Sequence, residues 1–266
     1  MNSVLELINN LSNEIDPKQV TAYLNMIHGK SDIIIASAYI KISPNNNNNN
    51  TPTTTTELLY IIESLLSSDQ QQYILGISIL LSFYADTVDR SEEASFLRVC
   101  KVYLNRENNN IRGNIQYIYH FLIKIVKKMV KIVCRANQPR YIINVLIKAI
   151  SIIQPSSYCL TPIHTDILQL FIKGQMYDHA VAFIDNNPIL EIDMNLCFIS
   201  GLDYVRYFYY AGICYIGMKN YTVALDYLNQ CISTPTEKMS AVILCAIKKA
   251  KLISLIESGT EFSVSP

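Results

Sequence analysis

Glycine and proline are scarce in this sequence. The chain has 266 residues, of which 8 are glycine and 9 are proline. No segment alternates apolar and polar residues between glycine-rich turns, so the pattern that predicts β-strands is missing. Half of the residues are hydrophobic, which excludes a disordered chain. A chain of this size can bury roughly 70–75% of the surface that it exposes when unfolded.

Signals for export and for membrane insertion are missing as well. Residues 1–16 contain neither a basic start nor an apolar run of signal-peptide length. The uncharged run at residues 70–85 contains Gln, Ser and Gly and is short for a membrane span. The cysteines are odd in number and form no CxxC pair, which favours small core residues over a disulfide framework. We therefore expect an intracellular chain with free thiols.

Acidic residues are absent from the middle of the chain, although the whole sequence has 22 basic and 22 acidic residues. Residues 1–107 carry 7 basic and 12 acidic residues, a net charge of −5. Residues 108–165 carry 8 basic residues and no acid, and residues 166–266 carry 7 basic and 10 acidic residues, which gives +8 and −3. The neutral total therefore conceals a basic segment. Such a segment is commonly a solvated helix face, and it can also face an acidic protein or a nucleic acid.

Apolar residues recur every three or four positions along much of the chain, which predicts amphipathic helices. This spacing predicts helices over residues 58–66, 72–85 and 92–104, and two more on either side of Pro139, which marks a helix start. In the helix before Pro139, five basic residues, Lys127 among them, lie outside the apolar stripe, and the other four follow helical spacing. We predict these four as candidate partner contacts: Lys124, Lys128, Lys131 and Arg135.

An Asn- and Thr-rich tract at residues 44–56 interrupts these patterns. A tract of this composition cannot contribute to a packed core, so we predict a disordered insertion. It separates N-terminal helices at residues 1–43 from a helical-repeat region at residues 57–258, and residues 259–266 form a tail.

Two segments of the second half are related to each other. Tyr177 and Tyr221 are 44 residues apart, as are Ala180 and Ala224. A small residue at this position lets the two helices of a hairpin approach closely, while the tyrosine packs over the turn. A period of this length is typical of an α-solenoid.

The clearest repeats span residues 163–187 and 207–235, and the second resembles a tetratricopeptide repeat without the usual Trp. We therefore predict an all-α fold, a right-handed superhelical α-solenoid of tetratricopeptide-like helix pairs. Aromatic residues at 204 and 207–210 are expected to fill the core between helices or to line a groove for a partner helix. The residues predicted to pack within the repeats are Tyr177, Ala180, Gly212, Tyr215, Tyr221, Ala224 and Leu225.

We find no catalytic constellation in the sequence. The histidines show none of the spacings that place two imidazoles on one metal ion, and no GxSxG elbow or glycine-rich phosphate loop occurs. His164 and Asp166 are a weak candidate for acid–base chemistry, because successive residues on a helix point about 100° apart. Thr161 and Pro162 predict a helix start instead, with Asp166 near its positive end. We expect no enzyme activity, no metal and no cofactor.

Several short segments carry a family resemblance: residues 138–140, 160–170, 207–212, 217–221, 224–225 and 234–235. Together they resemble the subunit 3 family of the COP9 signalosome, over about residues 130–258. The resemblance implies a non-catalytic scaffold subunit, in which a helical-repeat arm precedes a PCI domain that ends in a winged helix. The last residues of this chain do not resemble that region, so we expect the PCI domain to be absent here.

The resemblance also implies partners and a location. The partners would be the other subunits of a multi-protein complex that removes the modifier Nedd8 from cullins and so regulates cullin-RING ubiquitin ligases. This implies a protein of the cytoplasm and nucleus without membrane contact. Helical-repeat subunits of the proteasome lid and of translation-initiation complexes share the architecture and are the alternative. A nucleic-acid binder that uses residues 112–148 is a further, disfavoured alternative.

Overall fold

The computed structural model describes residues 59, 62, 63, 66, 74–105, 115–192, 199–235 and 240–259. Regular structure in the four continuous ranges consists of nine α-helices and one 3-10 turn, together with an isolated β-bridge between Cys159 and Glu191, and residues 59, 62, 63 and 66 are helical as well. The prediction of an all-α fold is therefore confirmed. The predicted N-terminal helices at 1–43, the tract at 44–56 and residues 260–266 of the predicted tail lie outside the described residues.

The chain divides into two compact units, Met1–Ile125 and Val126–Pro266. In the first unit, helices α1 (Ile74–Thr87) and α2 (Glu93–Asn105) pack together, close to the spans predicted at 72–85 and 92–104. They meet through an edge-on aromatic contact and a buried hydrogen bond. The rings of Tyr84 and Phe96 lie 5.6 Å apart, and the hydroxyl groups of Ser78 and Tyr103 lie 2.5 Å apart.

Most of the second unit consists of short helices in series. Helix α3 begins in the first unit and ends in the second, and a 3-10 turn and six further helices follow it. Their bounds are α3 (Ile115–Ala136), the 3-10 turn (Pro139–Tyr141), α4 (Ile143–Ile153), α5 (Pro162–Lys173), α6 (Tyr177–Asn186), α7 (Gly201–Gly217), α8 (Tyr221–Ile232) and α9 (Ala241–Ser258).

Pro139 starts the 3-10 turn, whereas the α-helix after it begins only at Ile143. The prediction that Pro139 marks the start of that α-helix was therefore wrong by four residues. Proline supplies a φ angle that suits any right-handed helical turn, so it does not distinguish a 3-10 turn from an α-helix.

The helices of the second unit pack as an α-solenoid. Helix α5 packs on α6 and on α7, and α7 in turn packs on α8 and on α9. Helices α6 and α8 each also contact the helix that follows them. Each helix therefore contacts its nearest neighbours in the chain order, which is the packing expected of stacked repeats.

The turns that close the two helical hairpins, α5/α6 and α7/α8, share one backbone geometry. Gln175 and Lys219, which lie 44 residues apart, both have positive φ angles, of 53° and 61°. After α5, the N–H of Met176 donates to the carbonyl of Phe171, and after α7 the N–H of Asn220 donates to the carbonyl of Tyr215. These are the bonds of the Schellman motif, which ends a helix at a left-handed residue.

None of the helices in the described part of the chain is long and apolar enough to cross a membrane.

Candidate functional site

The four basic residues predicted as partner contacts on α3 differ in their surroundings. Lys124 lies in the first unit, where its ammonium group is 2.5 Å from a carboxylate oxygen of Asp86. Lys128 is half-buried, whereas Lys131 and Arg135 are exposed. Only the last two of the four predicted contacts line a groove of the second unit. Two of the four predicted partner contacts therefore lie in this groove, and their contact with a partner stays a prediction.

This groove lies between α3 and α5 and has a volume of about 560 Å³. We call it the α3–α5 groove. Helix α3 contributes residues at positions 127, 131 and 135, which share one helix face because they are spaced four apart. Helix α5 contributes the opposite wall. The lining residues are Lys127, Val130, Lys131, Cys134, Arg135, Asp166, Gln169 and Lys173.

Asp166 is the one acidic residue among those that line the groove. Burial raises the pKa of its carboxyl group to about 7, an effect that Asp203 reinforces and that the cations of Lys127 and Arg206 oppose. Its Oδ2 atom is buried and has no hydrogen-bond partner. Lys127 is shared, since its ammonium group lies 4.0 Å from Asp203 Oδ1. The groove therefore contains a carboxyl group that gains or loses its proton near neutral pH.

Asp166 does not lie where the sequence placed it. The first turn of α5 contains no acidic residue, because the helix begins at Pro162 and Asp166 belongs to the second turn. The interpretation that Asp166 stabilises the positive end of the helix was therefore wrong. Desolvation by burial has the largest influence on the pKa of this carboxyl group.

Cys134 is a half-buried thiol in the wall of the groove. Burial raises its pKa, while Lys173 lowers it and Asp166 raises it further. The thiol is therefore protonated at neutral pH, and a protonated thiol is neither a good nucleophile nor a metal ligand.

His164 serves the start of α5. Thr161 is the N-cap and Pro162 the first helical residue, which confirms the predicted helix start. The backbone N–H of Thr161 donates to His164 Nδ1 at 3.1 Å, so a neutral ring carries its proton on Nε2. The imidazole is 1% exposed, and burial lowers its pKa to about 4. His164 is thus a neutral capping group and does not act as a base on Asp166.

The predicted repeat-packing residues surround the second hairpin and its contact with the first. Ala180 and Ala224 have no exposed surface. A Cβ atom on Gly212 would lie 3.0 Å from the Leu228 side chain, so glycine allows α7 and α8 to approach closely. Tyr221 and Leu225 are half-buried.

Two of these residues connect the first hairpin with α7. The buried Tyr215 donates a hydrogen bond from its hydroxyl group to Asp185 Oδ1 at 2.5 Å. The ring of Tyr177 lies against Gly217, where an added Cβ atom would come within 2.4 Å of it. The aromatic residues near the start of α7 also pack on one another: the ring centres of Tyr207 and Phe208 are 5.3 Å apart, and both residues are buried.

Sequence reasoning missed Lys127, Asp166 and Lys173 as residues of one groove. Lys127 lies outside the apolar stripe but is not among the predicted contacts, although it lies one turn before Lys131, and that spacing was the available signal. Asp166 and Lys173 come from another helix, so no local pattern could have joined them to α3. Among the described residues, no group of three His, Cys, Asp or Glu side chains could hold a metal ion.

Comparison with known proteins gives a consistent result. Residues 41–265 match the model of a family described as COP9 signalosome complex subunit 3, N-terminal helical repeats. A COP9 signalosome complex subunit 3 from Arabidopsis thaliana is 30% identical over 147 residues, which is 55% of this chain and 33% of the relative. The protein of the same description from Dictyostelium discoideum is 35% identical over 126 residues, 47% of this chain and 30% of the relative. The chain thus spans about a third of the length of these curated relatives.

Proposed function

Because the chain belongs to the family of COP9 signalosome complex subunit 3, N-terminal helical repeats, we propose that it is a non-catalytic scaffold arm of a signalosome. The observation that carries this proposal is the family match over residues 41–265, a range that contains every described helix. The described chemistry supports a scaffold rather than an enzyme. His164 is neutral and caps a helix, and the thiol of Cys134 is protonated.

The packing of the second unit also supports a scaffold. Stacked helix pairs contact only their neighbours, so a solenoid leaves long helix faces for other proteins. In this chain the hairpin turns and the contacts around Gly212 and Gly217 fix the helices relative to one another. A rigid arm of this kind can hold partner subunits at defined positions.

The finer part of the proposal concerns the complex. Its other subunits are the direct partners, and cullin-RING ubiquitin ligases are reached through them. The complex removes Nedd8 from cullins with a catalytic subunit that is a different chain. We propose the cytoplasm and the nucleus as its location, in line with the role in regulating cullin-RING ligases.

Affinity purification tests the scaffold role. The chain is expressed with a tag in its own cells, and the proteins that copurify are quantified by mass spectrometry against an equally tagged, unrelated protein. We expect the signalosome subunits to be enriched together. Enrichment of proteasome-lid or translation-initiation subunits, with signalosome subunits at background, would contradict the proposal.

Cullin modification tests the finer part. Depletion of the protein should raise the fraction of cullin that carries Nedd8, and re-expression of the chain should restore it. If signalosome subunits copurify and the modified fraction stays constant after depletion, the scaffold role stands and its link to Nedd8 removal does not.

A further inference from the structure

We propose that the α3–α5 groove binds an acidic helix of a partner protein, whose carboxylates are spaced one helical turn apart. The proposal deepens the scaffold function and rests on it for the existence of a partner. The groove is built by two helices of the second unit, and four of its eight lining residues are cations: Lys127, Lys131, Arg135 and Lys173.

The charge of the groove is only partly compensated within the protein. Lys127 faces Asp203 at 4.0 Å, and Asp166 is the acidic lining residue. Lys131 and Lys173 form no ion pair with any described residue. Both side chains are exposed. The excess of positive charge therefore attracts an anionic ligand, and clefts concentrate such fields.

The spacing of the cations fits carboxylates on a helix. Lys127, Lys131 and Arg135 follow one another at intervals of four residues on α3, which is about 6 Å of helix length per step. Acidic residues at the same interval on a partner helix have the same rise. Val130 is 5% exposed at the floor of the groove, where an aliphatic part of that helix can rest.

The lining favours a protein over a nucleic acid. Single-stranded nucleic acids are held by aromatic side chains on which bases stack, and none of the eight lining residues is aromatic. Asp166 acts alike on both kinds of ligand, because its carboxylate repels any anion and its protonated form can donate a hydrogen bond to a carboxylate or to a phosphate oxygen.

Asp166 makes the binding dependent on pH. The groups that face it are Lys127 and Cys134 from α3, and Asp203, Arg206 and Tyr210 from α7. Burial raises the pKa of Cys134 and of Tyr210 above their ordinary values, which already lie above neutrality. As the pH rises through about 7, the carboxyl group of Asp166 loses its proton, and its charge then repels the partner.

The test uses the purified full chain and a fluorescent peptide of about 15 residues that forms a helix of about 22 Å. The peptide carries glutamates four residues apart, and a second peptide of the same composition has them at irregular spacing. The charge-reversal variant is Lys131→Glu with Lys173→Glu. The matched control is Lys248→Glu with Lys251→Glu, which reverses two exposed lysines of α9.

We expect salt-sensitive binding of the regular peptide, a loss of at least about tenfold in the groove variant, and wild-type affinity in the α9 control. Affinity should fall several-fold from pH 6 to pH 8, and Asp166→Asn should remove that dependence. Circular dichroism of each variant verifies that the helices are intact.

Three results would overturn the proposal. The first is no binding of the regular peptide at low salt, and the second is an equal loss of affinity in the groove variant and in the α9 control. The third is tighter binding of a single-stranded oligonucleotide of about 15 nucleotides that depends on the groove lysines. Each result is independent of the affinity purification, so failure of the groove and failure of the scaffold function are distinguishable.

Discussion

The two hairpins of the second unit, α5/α6 and α7/α8, close with the same turn and differ in their inner helices. In both, a left-handed residue follows the first helix, and a fully buried alanine lies five residues further on. The inner helix α5 buries His164 and part of Asp166, whereas the positions 44 residues later on α7 are Phe208 and Tyr210. The repeat thus conserves its backbone geometry and varies its interior chemistry.

This difference follows from the neighbours of each helix. Helix α5 forms one wall of the α3–α5 groove, where cations make a partly buried carboxylate tolerable. Helix α7 packs on α5, α6, α8 and α9, and aromatic side chains fill the space between them. A helix that is enclosed on several sides requires large apolar side chains, and a helix beside a charged groove can carry titratable ones.

The largest expected effect concerns the two titratable groups of α5 and their opposite dependence on pH. His164 has a pKa of about 4 in the folded protein and 6.5 in the unfolded chain, so its contribution is complete above pH 6.5 and is lost as the pH falls. Asp166 has a folded pKa of about 7 and an unfolded pKa of 3.8, so its contribution is complete below pH 3.8 and is lost as the pH rises. Each changes the free energy of unfolding by up to about 1.4 kcal/mol per pH unit, with opposite sign.

Single variants should separate the two pH dependences, which oppose each other in the wild-type protein. In Asp166→Asn, the free energy of unfolding should rise relative to wild type from about pH 4.5 to 6.5, by a total of about 3 kcal/mol. In His164→Gln, which retains a capping side chain, it should fall relative to wild type over the same interval. Urea denaturation at several pH values measures both slopes. Parallel curves for the two variants would contradict the assignment.

The second expected effect comes from a substitution that makes the second hairpin, α7/α8, resemble the first. The residue 44 positions before Gly212 is Leu168, which is fully buried in α5. Gly212→Leu should cost about 2–3 kcal/mol, because the new side chain meets Leu228 where a Cβ atom alone would lie at 3.0 Å. The higher helix propensity of leucine offsets less than about 1 kcal/mol of that cost. Chemical denaturation measures the loss.

Two controls sharpen this prediction. Gly201→Ala should change stability little, because a Cβ atom on Gly201 meets nothing within 4 Å. The double variant Gly212→Leu with Leu228→Ala should recover at least about 1 kcal/mol relative to the sum of the two single changes. Strict additivity would show that α7 and α8 do not meet through these two residues.

The third expected effect concerns the connection between the hairpins. Tyr215 corresponds to Phe171 in the first repeat, and its hydroxyl group is bonded to Asp185 of α6. Tyr215→Phe should therefore reduce stability by about 1 kcal/mol, since it removes one hydrogen bond and leaves the ring in place. Asp185→Asn should weaken the same bond, and Tyr215→Phe should then have a smaller effect in that background. Full additivity of the two changes would contradict the bond.

How far the sequence predicted these features depends on the distance between the residues involved. The helix start at Thr161 and the repeat at Tyr177 and Tyr221 are local patterns, so they could be predicted. The capping role of His164 could not, because capping patterns have Glu or Gln at that position and His substitutes for them here as a neutral ring.

The groove was beyond prediction for a different reason. Arg135 and Lys173 are 38 residues apart and lie on different helices, so only the packing of α3 beside α5 brings them to one groove. The charge count did find the basic segment, but it could not show that Lys124 is paired with Asp86 in the first unit. Composition locates charge along the chain, and tertiary packing decides which charges share a surface.

The smallest expected effect tests the feature that the two hairpins share. A residue other than glycine in the left-handed region is strained, so Lys219→Gly should stabilise the protein by about 0.5 kcal/mol once the greater flexibility of the unfolded chain is subtracted. Gln175→Gly should have a similar benefit, because the φ angle of Gln175 is 53° and that of Lys219 is 61°. Thermal unfolding of both variants measures the gain. A loss of stability in Lys219→Gly would mean that the lysine side chain has a role in the turn that outweighs its strain.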